Sequence, residues 1–147
     1  VHLNNDVKAR IICGEVNGIK GPVQDIVTDP EYLDVTIAPR SEFEHHVKQG
    51  YTVFAFVIKG KGYFDQNLDQ LIHAENLVIY EDGEKVRITT NFETVRFLLI
   101  SGKPIGEPVA WYGPIVMNTK EELRLAFEEY QNGTFLKYSN SPRKAIL

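Results

Sequence analysis

Apolar residues recur with a period of two along much of the first hundred positions. In the stretch 32–38 (YLDVTIA), Leu33, Val35 and Ile37 fall on one side, the pattern of a strand with one face buried. Lys8 to Glu15 (KARIICGE) is rich in β-branched residues and ends near glycines, so it also reads as a strand. Tyr51 to Ile58 (YTVFAFVI) is apolar at odd and even positions alike, which predicts a strand in the middle of a sheet. Lys59-Gly60-Lys61-Gly62 predicts a turn that returns into Tyr63-Phe64-Asp65 as a hairpin. Leu77 to Tyr80 (LVIY) follows, and Asp82-Gly83 predicts a second hairpin into Val86 to Thr90. Val95 to Ile100 closes the series at Ser101-Gly102. Short strands at this spacing, with no βαβ crossover between them, predict an all-β fold, an antiparallel barrel or sandwich.

The period changes near the end. Thr119 followed by Glu122 is a capping box, and the helix it opens runs over about 120–131. Leu123, Phe127 and Tyr130, with Ala126 beside them, form one apolar stripe, expected to pack on the barrel. Glu121, Glu122, Glu128 and Glu129 read as a solvated face, and Asn132-Gly133 as the stop. The tail from Lys137 carries a short basic run, Pro142-Arg143-Lys144, expected on the surface.

Composition narrows the function classes. The chain has 147 residues, 43% hydrophobic and 24% charged, which suits one folded domain over 1–147. Its net charge of -4 lacks the basic field that phosphate backbones require, so no direct nucleic-acid binding is expected. A single cysteine, Cys13, forms no internal disulfide and reads as a buried thiol. No apolar run reaches the length of a membrane span, and the start shows no secretory pattern. The expected compartment is cytoplasmic, or nuclear in an animal. The first residue is Val, which fits either methionine removal or a piece of a longer protein.

Candidate chemistry is sparse. His45 and His46 are adjacent, so in a strand they point to opposite faces and cannot share one ion, although in a loop they could. His73 is a third candidate with no diagnostic spacing. The plainer reading makes all three polar residues at a barrel mouth. HExxH, CxxC, GxSxG and a phosphate-cradling glycine loop are all missing. Trp111 and Tyr112 either line a pocket or pin their loop to the barrel. No catalytic, cofactor-binding or metal-binding residue is assigned on this basis.

One stretch is more specific. Gly102-Lys103-Pro104-Ile105, Glu107-Pro108-Val109, then Tyr112-Gly113-Pro114-Ile115-Val116-Met117 and a helix ending in Tyr130-Gln131-Asn132-Gly133 resemble the C-terminal part of the pirin family. Gly21-Pro22-Val23, the strand from Gln49-Gly50-Tyr51 to Gly60, and Asn76 to Gly83 extend the resemblance over nearly the whole chain. It implies a cupin-type jelly roll, the second half of a two-barrel bicupin. It also implies iron in the first barrel, and either a nuclear transcription-cofactor role or quercetin 2,3-dioxygenase activity. The general cupin motif can be laid on this half. With its closing glycine at Gly60, the glutamate ligand falls on Val53. The two histidines fall on His46 and Lys48, or with a shorter gap on Val47 and Gln49. The second motif places its glycine on Gly83 and its histidine on Val86. The expectation is a cupin barrel without a cofactor of its own. It would serve as a scaffold or interaction module beside a metal-bearing cupin domain, or self-associate as a dimer. Its apolar interior would also suit a small apolar ligand. The alternative is a quercetin-dioxygenase-like or other small-molecule enzyme.

Overall fold

A computed structural model describes Leu3 and residues 5–137. The basic tail run expected on the surface lies outside these residues. Among the described residues, thirteen strands and one helix follow in the order β1 (Val7–Cys13), β2 (Glu15–Val16), β3 (Ile19–Lys20), β4 (Glu31–Ile37), β5 (Glu42–His46), β6 (Thr52–Lys59), β7 (Lys61–Tyr63), β8 (Leu71–His73), β9 (Leu77–Ile79), β10 (Lys85–Thr89), β11 (Val95–Gly102), β12 (Ala110–Tyr112), β13 (Ile115–Met117) and α1 (Lys120–Gln131). Contacts divide the chain into two compact units, Val1–Ile105 and Gly106–Leu147.

The first unit holds a five-stranded sheet, ordered β1-β4-β11-β6-β9, and a four-stranded sheet, ordered β5-β10-β7-β8. Every named pairing is antiparallel. The alternation read from sequence is the alternation of burial. Leu33, Val35 and Ile37 of β4 are fully buried, as are Ala55 and Val57 of β6. The other sheet sends Phe43, Val86 and Ile88 into the same core. Phe97 of β11 joins the two layers, its ring centroid 5.4 Å from Phe64 and 5.9 Å from Phe43. β6 is interior to its sheet, between β11 and β9, as its two-sided hydrophobicity suggests.

Both expected hairpins are corrected. β6 and β7 lie in different sheets, and so do β9 and β10. The Lys59–Gly62 turn is therefore a corner where the chain changes sheets, and so is the Asp82-Gly83 turn. Gly60 shows why that corner needs glycine: φ is 78°, and a Cβ there would sit 1.9 Å from the Thr94 carbonyl oxygen. Turn chemistry announces a reversal, but only the core decides which sheet receives the next strand. β5, with its Glu-Phe-Glu-His-His sequence, carries too few apolar residues to announce itself as a strand.

The second unit is the β12–β13 hairpin followed by α1. Gly113 and Pro114 make its two-residue turn, with Tyr112 paired to Ile115. The helix forms with its capping box intact. The Thr119 hydroxyl accepts from the Glu122 backbone N–H at 3.2 Å, and the Glu122 carboxylate accepts from the Thr119 N–H at 2.9 Å. The apolar stripe is narrower than the sequence implies. Ala126 is buried, Leu123 and Phe127 are half-buried, and Tyr130 is 68% exposed. Phe127 meets the Tyr112 ring edge-on at 5.4 Å, so the hairpin is what the stripe packs on within this unit. Trp111 and Tyr112 are both well exposed, and the Trp111 indole N–H donates to the Gly113 carbonyl at 2.7 Å.

Candidate functional site

The sequence singled out three histidines, and strand geometry separates them. β5 forms a regular ladder with β10, which fixes its two faces. Phe43, His45 and Val47 face the core side, whereas Glu44, His46 and Lys48 are exposed. His73 is exposed at the end of β8. Among the described residues, no group of three or more His, Cys, Asp or Glu side chains is arranged to hold a metal.

Strand geometry departs from the motif register by one residue in β5. The histidine positions of the cupin pattern must face inward to share one ion. The inward pair here is His45 and Val47, not His46 and Lys48 or Val47 and Gln49. Val53, at the glutamate position, is 3% exposed, and Val86, at the last histidine position, is 2% exposed. Val86 pairs directly across from His45. Three of the four ligand positions are therefore valines, which offer no donor atom. The residues present do not fit a cupin metal.

His45 instead has a protein partner. Its Nε2 lies 2.6 Å from the Glu31 carboxylate, and its ring stacks on Phe43 at 5.7 Å with a 6° interplanar angle. The side chains are only 11% and 17% exposed. A carboxylate accepts, so Nε2–H is the donor in this bond. Glu31 begins β4 of the five-stranded sheet and His45 lies in β5 of the other, so the pair ties the two layers together.

A second tie stands beside it. Lys48 and the Tyr51 hydroxyl both donate to Asp29, the tyrosine at 2.8 Å. These bonds hold the Asp29 carboxyl below its ordinary pKa, with the Lys48 bond the main cause. The same contact raises Lys48, and the bond to Asp29 raises Tyr51. Both ties line an open cleft of about 820 Å³, walled by the β2–β3 hairpin, the segment before β4, and β5. Cys13, buried as expected of a strand thiol, also reaches it.

Sequence reasoning missed Glu31 and Asp29. They lie 14 and 19 positions from their partners His45 and Lys48, and nothing local marks either one. The inward face of β5 could have been found, because Phe43, His45 and Val47 alternate with charged or polar residues.

Comparison with known proteins places this unit. A model of the pirin C-terminal cupin domain matches residues 32–136. The chain belongs to the pirin family. It is 39% identical to Pirin-1 of Arabidopsis thaliana over 131 residues, 87% of this chain and 45% of that protein. It is 32% identical to human pirin over 128 residues, 86% of this chain and 44% of that protein. The crystal structure of a quercetin 2,3-dioxygenase from Acinetobacter baumannii superposes with a TM-score of 0.77 at 26% identity, covering 89% of this chain and 44% of that one. This pirin-type chain thus spans about half the length of the relatives it matches. No helix among the described residues is long and apolar enough to cross a membrane.

Proposed function

We propose that this pirin-family domain is a non-catalytic cupin module that packs on a metal-bearing cupin domain, in the same chain or another. The valines at positions 47, 53 and 86 carry this reading. They leave the cupin ligand set with His45 alone, and Glu31 already engages that ring. A lone imidazole cannot hold a redox metal tightly enough for dioxygen chemistry. The matched relatives, about twice as long, have room for a second barrel, and a homodimer would imitate the same arrangement.

The second reading is an enzyme resembling the quercetin 2,3-dioxygenase to which the fold is similar. One pair of measurements separates the two. Elemental analysis of protein purified without chelators is expected to find far less than one equivalent of iron, zinc, nickel or manganese. Oxygen uptake with quercetin is expected to match the protein-free rate, with or without added iron(II). Near-stoichiometric metal, or saturable uptake proportional to protein and abolished by His45→Ala, overturns the non-catalytic reading.

A further inference from the structure

We propose that the outer face of the five-stranded sheet is the contact surface of a two-fold dimer, with a second copy of this chain as its occupant. The inference rests on the module role and deepens it, naming the face and the partner which that role leaves open.

The two sheets of the first unit differ on the side turned away from the core. There the four-stranded sheet presents Glu42, Glu44 and His46 of β5 beside Lys85 and Arg87 of β10, and Glu44 pairs with both basic residues. That face is built for water. The other sheet is not. β6 is apolar on both sides, and only Val53, Ala55 and Val57 meet the core. Strand register then lines up two neighbouring apolar rows on the outside. One runs Tyr32, Ile100, Phe54, Ile79 across β4, β11, β6 and β9, and the next runs Leu98, Phe56, Leu77 across β11, β6 and β9.

This block is large enough to require cover. Ile79 is 71% exposed, Leu77 54%, Phe56 39% and Ile58 37%. Single exposed apolar residues are ordinary, whereas a contiguous block of aromatic and branched side chains marks an interaction surface. At roughly 200 Å² for a fully exposed large side chain, these four present about 400 Å². A standard interface takes about 800 Å² per partner. Half-buried Phe54, Leu98, Ile100 and Tyr32, with the polar rim, supply the remainder.

Shape and charge select the occupant. A broad sheet face packs best on another sheet face. A closed two-fold contact further requires a surface that complements itself. The block carries no charge, and Asp34 and Arg96 at its border neutralise each other through two hydrogen bonds, so a copy meets no unpaired charge there. With the two-fold axis along β6, β9 of one copy faces β11 of the other. β1, with Lys8 and Arg10, then lies outside the contact, and like charges are kept apart.

Sedimentation equilibrium of the full chain between about 1 and 100 μM is expected to show one reversible monomer–dimer equilibrium. Leu77→Lys combined with Ile79→Lys places two ammonium groups on the most exposed part of the block, at an edge strand where a folded monomer tolerates them. The pair is expected to weaken the dimer at least about a hundredfold. His46→Lys, on the polar face, is expected to leave it unchanged. Circular dichroism checks the fold of each variant. If the double variant does not fold, methyl NMR of the unmodified protein with a dissolved paramagnetic relaxation agent decides. The methyl groups of Leu77, Ile79 and Leu98 are expected to lose contact with the agent as the protein is concentrated. A monomer throughout overturns the proposal, and is the result expected if the face takes a different protein. So does open-ended association, a dimer that persists in the folded double variant, or a dimer whose Leu77 and Ile79 methyl groups stay accessible. Metal content and oxygen uptake are untouched by these results, so the non-catalytic reading fails or stands on its own measurements.

Discussion

Replacing Val53 by glutamate restores the cupin carboxylate at the position where this domain has an alkyl group. Val53 is 3% exposed and belongs to the core cluster, and its carbonyl accepts from the Tyr80 N–H at 3.0 Å. The larger side chain overfills a packed site at about 1–3 kcal/mol. A protonated carboxyl without a partner costs about 1–3 kcal/mol more. The expected loss is thus about 2–6 kcal/mol at low pH, a large part of the 5–15 kcal/mol typical of a domain. Burial also raises the carboxyl pKa above its unfolded value of about 4.3. The folded state then holds a proton that the unfolded state has released. Stability of Val53→Glu relative to the parent must therefore fall further as pH rises above about 4.3. The limiting slope is about 1.4 kcal/mol per pH unit until the folded pKa is passed. Urea unfolding followed by far-ultraviolet circular dichroism, at matched pH values between about 4.5 and 7, measures both terms. A loss below about 1 kcal/mol with no pH dependence would show that water reaches position 53 and that the core argument is wrong. Recovery of stability on adding iron(II) or zinc(II) would show that groups nearby complete a metal site, against the proposed non-catalytic reading.

Three further expectations follow from particular contacts. Phe127→Ala should cost about 1–2 kcal/mol, not the 3–5 of a fully buried ring, because Phe127 is half-buried against Tyr112; denaturant unfolding of the whole chain measures it. Asp34 accepts two bonds from Arg96, at 2.9 and 2.7 Å, which holds its pKa down, and Glu44 is lowered by Arg87 and then Lys85. Lowered carboxyl pKa values stabilise the fold above the unfolded value of about 4 and stop doing so as pH falls through the folded values. The unfolding midpoint should therefore drop below about pH 4, and Asp34→Asn should blunt that drop while costing about 0.5–1 kcal/mol near neutrality. Thr119→Ala removes the oxygen that caps α1 and should cost about 1 kcal/mol, read as reduced amide-exchange protection in the first helical turn.

Local sequence determined the strands whose burial alternates and the helix with its cap. In β4 the side-chain period alone names the buried residues, because each pleat sends alternate residues to one face. In α1 the box of Thr119 and Glu122 satisfies backbone donors that no other residues reach, so four residues suffice to locate the helix start. The pirin-like run from Gly102 to Gly133 is also local, and it was enough to name the family and its cupin fold. Tertiary structure decided the rest. It sent the chain after Gly60 and after Gly83 into the opposite sheet, because Phe64, just past β7, and Val86 and Ile88 of β10 had to close the core shared with β6 and β9. It chose His45 over His46 as the inward residue, since pairing with β10 fixed the register of β5, and register is a long-range property. It also created the His45–Glu31 pair, whose members sit in separate sheets and meet only once both layers have packed on one core.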